Sequence, residues 1–211
     1  MLLQIKSSNK LTLKDKSQIV LAGDVGATKT NLALFKAKGN AIVLIAEKKF
    51  VSKEYQNITV IIEIFLKGVH GPDSICLGVA GPVMNGRAKL SNISWDIDSN
   101  ELARYFNIKK VKLINDLEAT AYGLAMLNEK DVASVHSVKN VEKGNVAIMA
   151  PGTGLGEAGM YWDGECYHPF ATEGGHSDFA PRNEFDFELY NFLKKKFGHV
   201  SWERLICGPG I

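Results

Sequence analysis

The sequence predicts an α/β protein in two domains, residues 1–126 and 127–211, and three observations carry that prediction. In the first half, apolar runs and helical-period segments follow the order β-β-β-α-β-α-β-α, which makes a mixed sheet with helices on its faces. The device that opens this half is an apolar strand, a glycine turn and a second apolar strand, "IVLAGDVGATKTNLALF" (19–35). It returns as "NVAIMAPGTGLGEAGMYW" (145–162), a weak internal repeat that suggests two domains of related topology facing one another. An apolar fraction of 45% over 211 residues supplies ample material for a core.

Taken in order, "IVLAGDV" reads as a buried strand and "TNLALF" as a second strand after a tight turn. "AIVLIAEKKFV" reads as a third, giving an antiparallel meander. "NITVIIEIFLKGV" has helical spacing and is ended by Gly68 and Gly71. "DSICLGVAGPV" is a buried strand closed by Gly81-Pro82, and "SNELARYFNI" is a short helix with Ser99 or Asn100 as N-cap. "VKLINDLEATAYGLAML" begins as a strand and turns helical near Asn115 and Asp116; the domain boundary is set near Leu127. The sequence closes on "LICGPGI", an odd place for a domain to finish, because the second sheet would lack partners for its edge.

Charge and cysteine usage narrow the class. Lys plus Arg number 25 against 23 for Asp plus Glu, so no large field draws nucleic acid or anionic lipid. No apolar stretch approaches a membrane span, the nearest being "VIIEIFL", which Glu63 interrupts. The polar opening "MLLQIKSSNKLTLKDKSQ" reads as a solvated leader without a signal-peptide apolar region. Cys76, Cys166 and Cys207 are sparse and lack CxxC spacing, which argues for reduced thiols in a cytoplasmic protein and against a disulfide frame or zinc site.

The two glycine turns carry the chemistry. Glycines let backbone N–H groups converge on an anion, and neither turn fits the GxxxxGK[ST] loop or the dinucleotide fingerprint. Either alone is a plain hairpin. Together, with Thr28 and Thr153 at their tips, they can clasp a polyphosphate from opposite sides. Asp24 then has a purpose, since a carboxylate at the mouth of an anion site is repelled unless Mg²⁺ stands between them; otherwise it is a turn-stabilising Asx residue. Asn115 and Asp116 stand where a strand gives way to a helix, a common place for ligand-lining residues as well as for helix caps. A carboxylate there can accept a hydroxyl proton during phosphoryl transfer. In "ATEGGHSDFAPRN", Glu173 and His176 flank two glycines, and the turn can expose both to a polyhydroxylated ligand. Glu203 in "GHVSWERLICGPG" reads as an ordinary first-turn helix acid. "MNGRAKLSNISWDID" offers Asn92, Trp95 and Asp96, which a loop packing Trp95 onto the core also explains.

In order, "GDVGATKTNLALF", "GVAGPV", "LSNISWDID", "LINDLEATAYGLA", "APGTGLGEA", "EGGHSDFAPRN" and "GHVSWERLICGPG" resemble the bacterial-type glucokinases from about Ile19 to the last residue. Those enzymes belong to the actin-like ATPase and sugar kinase superfamily, with two ribonuclease-H-like domains around a cleft. The resemblance implies transfer of the ATP γ-phosphate to the 6-hydroxyl of glucose. It implies a first phosphate loop at Asp24, Gly26, Ala27, Thr28 and Lys29, with Asp24 near Mg²⁺, and a second at Gly152, Thr153 and Gly154. Asp116 would be the general base. Asn115, Asp116, Glu173, His176, Glu203 and Asn92 would bind the sugar. Glucose and ATP are the implied partners, with a homodimer left open. Many relatives place a second Gly and an Asn where this sequence has Ala27 and Lys29, and they continue well past "GPGI", so the resemblance implies a second domain truncated at its C-terminus. The rivals are a related sugar kinase of different hexose specificity and a non-catalytic sugar sensor on the same fold. No cysteine cluster follows His176, as the regulator-containing sugar kinases would have, and no basic helix-turn-helix opens the sequence.

Overall fold

The computed structural model describes residues 17–39, 41–90, 93–124, 126–136 and 142–211. The described residues fall into two compact units that divide between Ala119 and Thr120, ahead of the Leu127 boundary set from sequence.

The first unit opens on three strands, β1 (Gln18–Val25), β2 (Lys29–Lys38) and β3 (Ala41–Val51). They are followed by α1 (Ile58–Leu66) and β4 (Ser74–Val79). Three short strands, β5 (Val83–Met84), β6 (Arg87–Lys89) and β7 (Asp96–Asp98), form a small antiparallel sheet of their own. Then come α2 (Ser99–Phe106), β8 (Lys110–Asn115) and α3 (Asp116–Leu124), which runs across the division between units. The main sheet has the order β3-β2-β1-β4-β8: β1, β2 and β3 pair antiparallel, as the meander predicts, while β4 and β8 run parallel to β1.

Local chemistry explains these elements. In α1, Ile58, Ile61, Ile62 and Phe65 fall at helical spacing and are all buried, and the Asn57 side chain caps the helix by accepting from the Val60 amide at 3.1 Å. Gly68, at φ 83°, lies just beyond it. The cap of α2 is neither Ser99 nor Asn100 but Asp98, whose Oδ1 accepts from the Asn100 and Glu101 amides at 2.7 and 3.2 Å. Asn100 and Glu101 take the N2 and N3 positions, where helix amides still need an acceptor. Leu21, Val25, Leu32, Leu34, Ile61, Ile62, Ile75, Leu77 and Val79 form the core with Trp95, which is 3% exposed and packs inward as the loop reading anticipated. Burial of each such side chain contributes about 1.5–3 kcal/mol.

In the second unit β9 (Val146–Pro151), β10 (Leu155–Trp162) and β11 (Tyr167–Thr172) make an antiparallel sheet of order β11-β10-β9. Two helices follow, α4 (Glu184–Phe197) and α5 (Trp202–Ile206). Ala121, Met160 and Tyr167 make one small core, and Phe179, Leu193 and Val200 another.

Candidate functional site

In the first unit, the C-terminal ends of β1, β4 and β8 bring the predicted residues to one sheet edge. Asp24 pairs in register with Gly78, and Val79 with Asn115, so the carboxylate and the Asn115-Asp116 pair end neighbouring rows of the same sheet. Open α/β sheets bind ligands outside this edge.

The first glycine turn is tied down from a distance. The Gly26 amide donates to the Lys29 carbonyl at 3.0 Å. The buried Ser52, just past β3, donates its hydroxyl to the Gly26 carbonyl at 2.6 Å, shares a 3.0 Å bond with the Thr30 hydroxyl, and sends its amide to the Thr28 carbonyl at 3.1 Å. Carbonyls are thus held back at the loop's base while Thr28 and Lys29 stay exposed at the surface. Asp24 lies on β1 itself, not in the turn. The Asx account of a turn-stabilising carboxylate therefore does not apply: its Oδ2 accepts from the Asn31 side-chain amide on β2 at 3.1 Å. The Oδ1 atom of Asn31 is buried without a hydrogen-bond partner among the described residues.

Asn115 caps α3: its Oδ1 accepts from the Leu117 and Glu118 amides at 2.9 and 3.3 Å, and its Nδ2 donates to the Gly81 carbonyl at 3.2 Å. The capping account therefore holds for Asn115, which also pins the Gly81-Pro82 turn to the sheet edge. Asp116 opens the helix, and its Oδ1 accepts from the Leu117 amide at 2.9 Å. Its backbone lies close to Gly78, where a Cβ would come within 3.0 Å of Ala119 Cβ. A larger residue on β4 would push the helix start off the sheet. Asn92 falls outside the described residues.

In the second unit one carboxylate joins the other predicted residues. Glu203 Oε2 accepts from the Leu155 amide at 3.0 Å, immediately after the Gly152–Gly154 turn. Its Oε1 lies 3.8 Å from His176 Nδ1, and His176 Nε2 lies 3.8 Å from Glu173 Oε2. Glu173 and His176 remain largely exposed, at 64% and 60%, while Glu203 is 23% exposed. Glu203 is thus a first-turn helix acid, as expected, and also the hinge of this site. The turn itself closes with the Gly152 amide donating to the Gly154 carbonyl at 2.8 Å, and the Gly208 amide donating to the Gly152 carbonyl at 2.7 Å. That leaves Thr153 exposed at the tip.

The glycines here serve close approach. A Cβ on Gly154 would meet Glu203 Oε2 at 2.4 Å, and one on Gly175 would meet the Leu155 carbonyl at 2.2 Å. The loop that carries Glu173 and His176 can therefore lie directly on the start of β10. Trp202 is fixed beside it, its amide donating to the Ser177 carbonyl at 3.1 Å and its ring edge-on to Phe179 at 5.0 Å.

Ser52 and Asn31 were missed by sequence reasoning. Both are polar residues of ordinary appearance, and only long-range pairing gives them their place. Among the described helices none is long and apolar enough to cross a membrane.

The fold and this set of loops define a mixed α/β chain of the kind seen in sugar kinases. It aligns with a solved glucokinase from an Antarctic psychrotroph at a TM-score of 0.79 and 30% identity, covering 92% of this chain and 62% of that one. A glucokinase from Balamuthia mandrillaris, solved with glucose, shares the fold at 22% identity and a TM-score of 0.66, with 92% of this chain and 60% of that one covered. The family model described as Glucokinase matches residues 21–211, and the chain belongs to the glucokinase family. The glucokinase of Nostoc sp. is 37% identical over 199 residues, and that of a Caulobacter species 35% over 193. The alignments cover 92% and 90% of this chain, which spans only 58% and 59% of those relatives' lengths.

Proposed function

We propose that the chain carries the sugar- and phosphate-binding residues of an ATP-dependent glucokinase, which transfers the γ-phosphate of ATP to the 6-hydroxyl of glucose. The observation that carries this reading is the Glu203 carboxylate, which ties the Gly152–Gly154 turn to His176 and so links a phosphate loop to a sugar-binding loop. The two units are read as the two ribonuclease-H-like halves of an actin-like kinase. The β3-β2-β1-β4-β8 order of the first, three antiparallel strands followed by two parallel ones, supports this.

In the proposed reaction Glu173, His176 and Glu203 hydrogen-bond sugar hydroxyls, joined by Asn115, whose amide keeps a second N–H beyond its bond to Gly81. Asn92 belongs to the same proposed set. Several acceptors around one sugar discriminate against analogues that lack a hydroxyl, because buried polar groups would be left unpaired. Asp116 takes the proton of the 6-hydroxyl at its carboxylate as the oxygen attacks phosphorus. The Gly26, Ala27 and Thr28 turn meets phosphate through its Ala27 and Thr28 amides, with Lys29 beside them, and the Gly152, Thr153 and Gly154 turn through its Thr153 and Gly154 amides, the Gly26 and Gly152 amides being engaged within their own turns.

Mg²⁺ would neutralise charge on the phosphates. The residues present fit it: Asp24 offers an exposed carboxylate, and the unpartnered Asn31 Oδ1 offers a second hard oxygen beside it. Free thiols at Cys76, Cys166 and Cys207 favour a reducing, cytoplasmic setting.

The test is a glucose titration of the 211-residue chain, followed by tryptophan fluorescence with galactose as control. Trp202, adjacent to Glu203, is the reporter. A saturable change selective for glucose is the expected result. A natively folded chain that responds to neither sugar, or equally to both, refutes the assignment.

A further inference from the structure

At the opposite end of β10 and β11 from the Gly152–Gly154 and Glu173–His176 loops, the hairpin closes through Asp163, Gly164, Glu165 and Cys166. Sequence spacing offered no metal site here, but the hairpin gathers three different donors. Asp163 Oδ1 accepts from the Glu165 and Cys166 amides at 2.8 Å each, which fixes the carboxylate over the turn. Its Oδ2 lies 2.6 Å from His168 Nε2 and 3.4 Å from Cys166 Sγ, and the sulfur lies 3.6 Å from the same Nε2. Cys166 is buried, whereas the Asp163 and His168 side chains are 25% and 44% exposed, so solvent ions can reach the cluster.

The arrangement is not that of an activated thiol. A relay needs the carboxylate on one imidazole nitrogen and the nucleophile on the other, and here both face Nε2. Convergence of three donors on one point is what a cation requires. Around tetrahedral Zn²⁺, bonds of about 2.3 Å to sulfur and about 2.0 Å to nitrogen or oxygen put sulfur about 3.5 Å from nitrogen, and nitrogen about 3.3 Å from oxygen. The sulfur already stands at such distances. Only the His168–Asp163 pair must open, by about 0.7 Å on the same geometry.

We infer that Asp163, Cys166 and His168 form a Zn²⁺ site at the tip of the β10–β11 hairpin, with water as fourth ligand. A thiolate, an imidazole and a carboxylate together suit zinc better than the oxygen-seeking Mg²⁺ or Ca²⁺. Binding releases the Cys166 thiol proton to solvent; the proton that Nε2 donates to Asp163 in the metal-free hairpin leaves that nitrogen, and the neutral imidazole carries its single proton on Nδ1 while Nε2 takes the metal. The site lies outside the proposed reaction and acts as a staple on the sheet that carries its loops.

The test uses the 211-residue chain freed of metal by chelation and titrated with Co²⁺, which reports thiolate ligation by a charge-transfer band and four-coordination by visible d–d bands. The expected result is saturation at one equivalent, displacement of the bands by one equivalent of Zn²⁺, and a rise in Tm with Zn²⁺. Cys166→Ser abolishes the charge-transfer band. His168→Gln, and Asp163→Asn, which keeps an acceptor for the turn amides, each weaken Co²⁺ binding at least about tenfold. A variant with both Cys76→Ala and Cys207→Ala retains the band. A folded chain, judged by circular dichroism, that shows no thiolate band overturns the inference. So does a band that survives Cys166→Ser or is lost only when Cys76 and Cys207 are replaced.

Discussion

Gly154→Ala gives the sharpest test of the Glu203 hinge. Gly154 does not have a positive φ, so its backbone tolerates alanine. At such a position the substitution ordinarily stabilises by about 0.4–1 kcal/mol through the unfolded chain. Here the new Cβ would sit 2.4 Å from Glu203 Oε2. The carboxylate must swing away and give up its 3.0 Å bond to the Leu155 amide. A hydrogen bond to a charged group contributes about 1.5–3 kcal/mol, and partial exposure of Glu203 favours the lower end. Gly154→Ala should therefore destabilise by about 0.5–2 kcal/mol net. In a Glu203→Ala background the clash is gone, and the same substitution should stabilise by about 0.4–1 kcal/mol. Urea unfolding of the four proteins in the cycle gives the coupling, and hydrogen exchange at Leu155 shows whether its amide has lost protection. An equal cost of Gly154→Ala in both backgrounds would refute the hinge.

Ser52→Ala removes the donor to the Gly26 carbonyl and the partner of the Thr30 hydroxyl, leaving two groups unsatisfied near the core. Urea denaturation should show a loss of about 1–3 kcal/mol, and restored stability with Ser52→Thr would indicate that the hydroxyl alone matters. Asp116→Asn should abolish phosphoryl transfer while glucose binding persists; near-normal turnover in a coupled assay would remove Asp116 as the base. Burial pushes the Cys76 thiol above its ordinary value of 9.0, with Lys112 opposing and Glu118 assisting. The thiolate therefore forms only at higher pH, and mass-mapped alkylation of Cys76 should keep accelerating beyond pH 9.0. A plateau below that pH would contradict the burial.

Much of the first unit was legible because its elements are long and periodic. The β1–β3 meander, α1, and the passage of β8 into α3 at Asn115 and Asp116 all follow from local pattern. The β5–β7 sheet was not legible, since strands of two or three residues carry no period. β11 hides behind Pro169, which the sheet tolerates because this strand lies at its edge. α4 has its signals in place, with Asn183 capping the Asp186 amide and Lys194, Lys195 and Lys196 in the last turn. Its exposed Phe185 and Phe187, however, alternate like a strand. The candidate site residues were singled out by type and order, but their couplings were not legible. The Glu203–Leu155 and Ser52–Gly26 bonds span 48 and 26 residues, and local sequence is silent about such separations.

The Ser52 tether also bears on when the first glycine turn takes its shape. Its two flanking strands are neighbours in sequence and can zip together early, but the residue that sets the Gly26 carbonyl arrives only with the end of β3. Contacts of greater sequence separation form later, because loop-closure entropy must be met first. A nascent chain, or a peptide of β1 and β2 alone, would thus own the glycines without the shaped turn. The shape of the turn is a product of the finished meander, acquired once the third strand has docked.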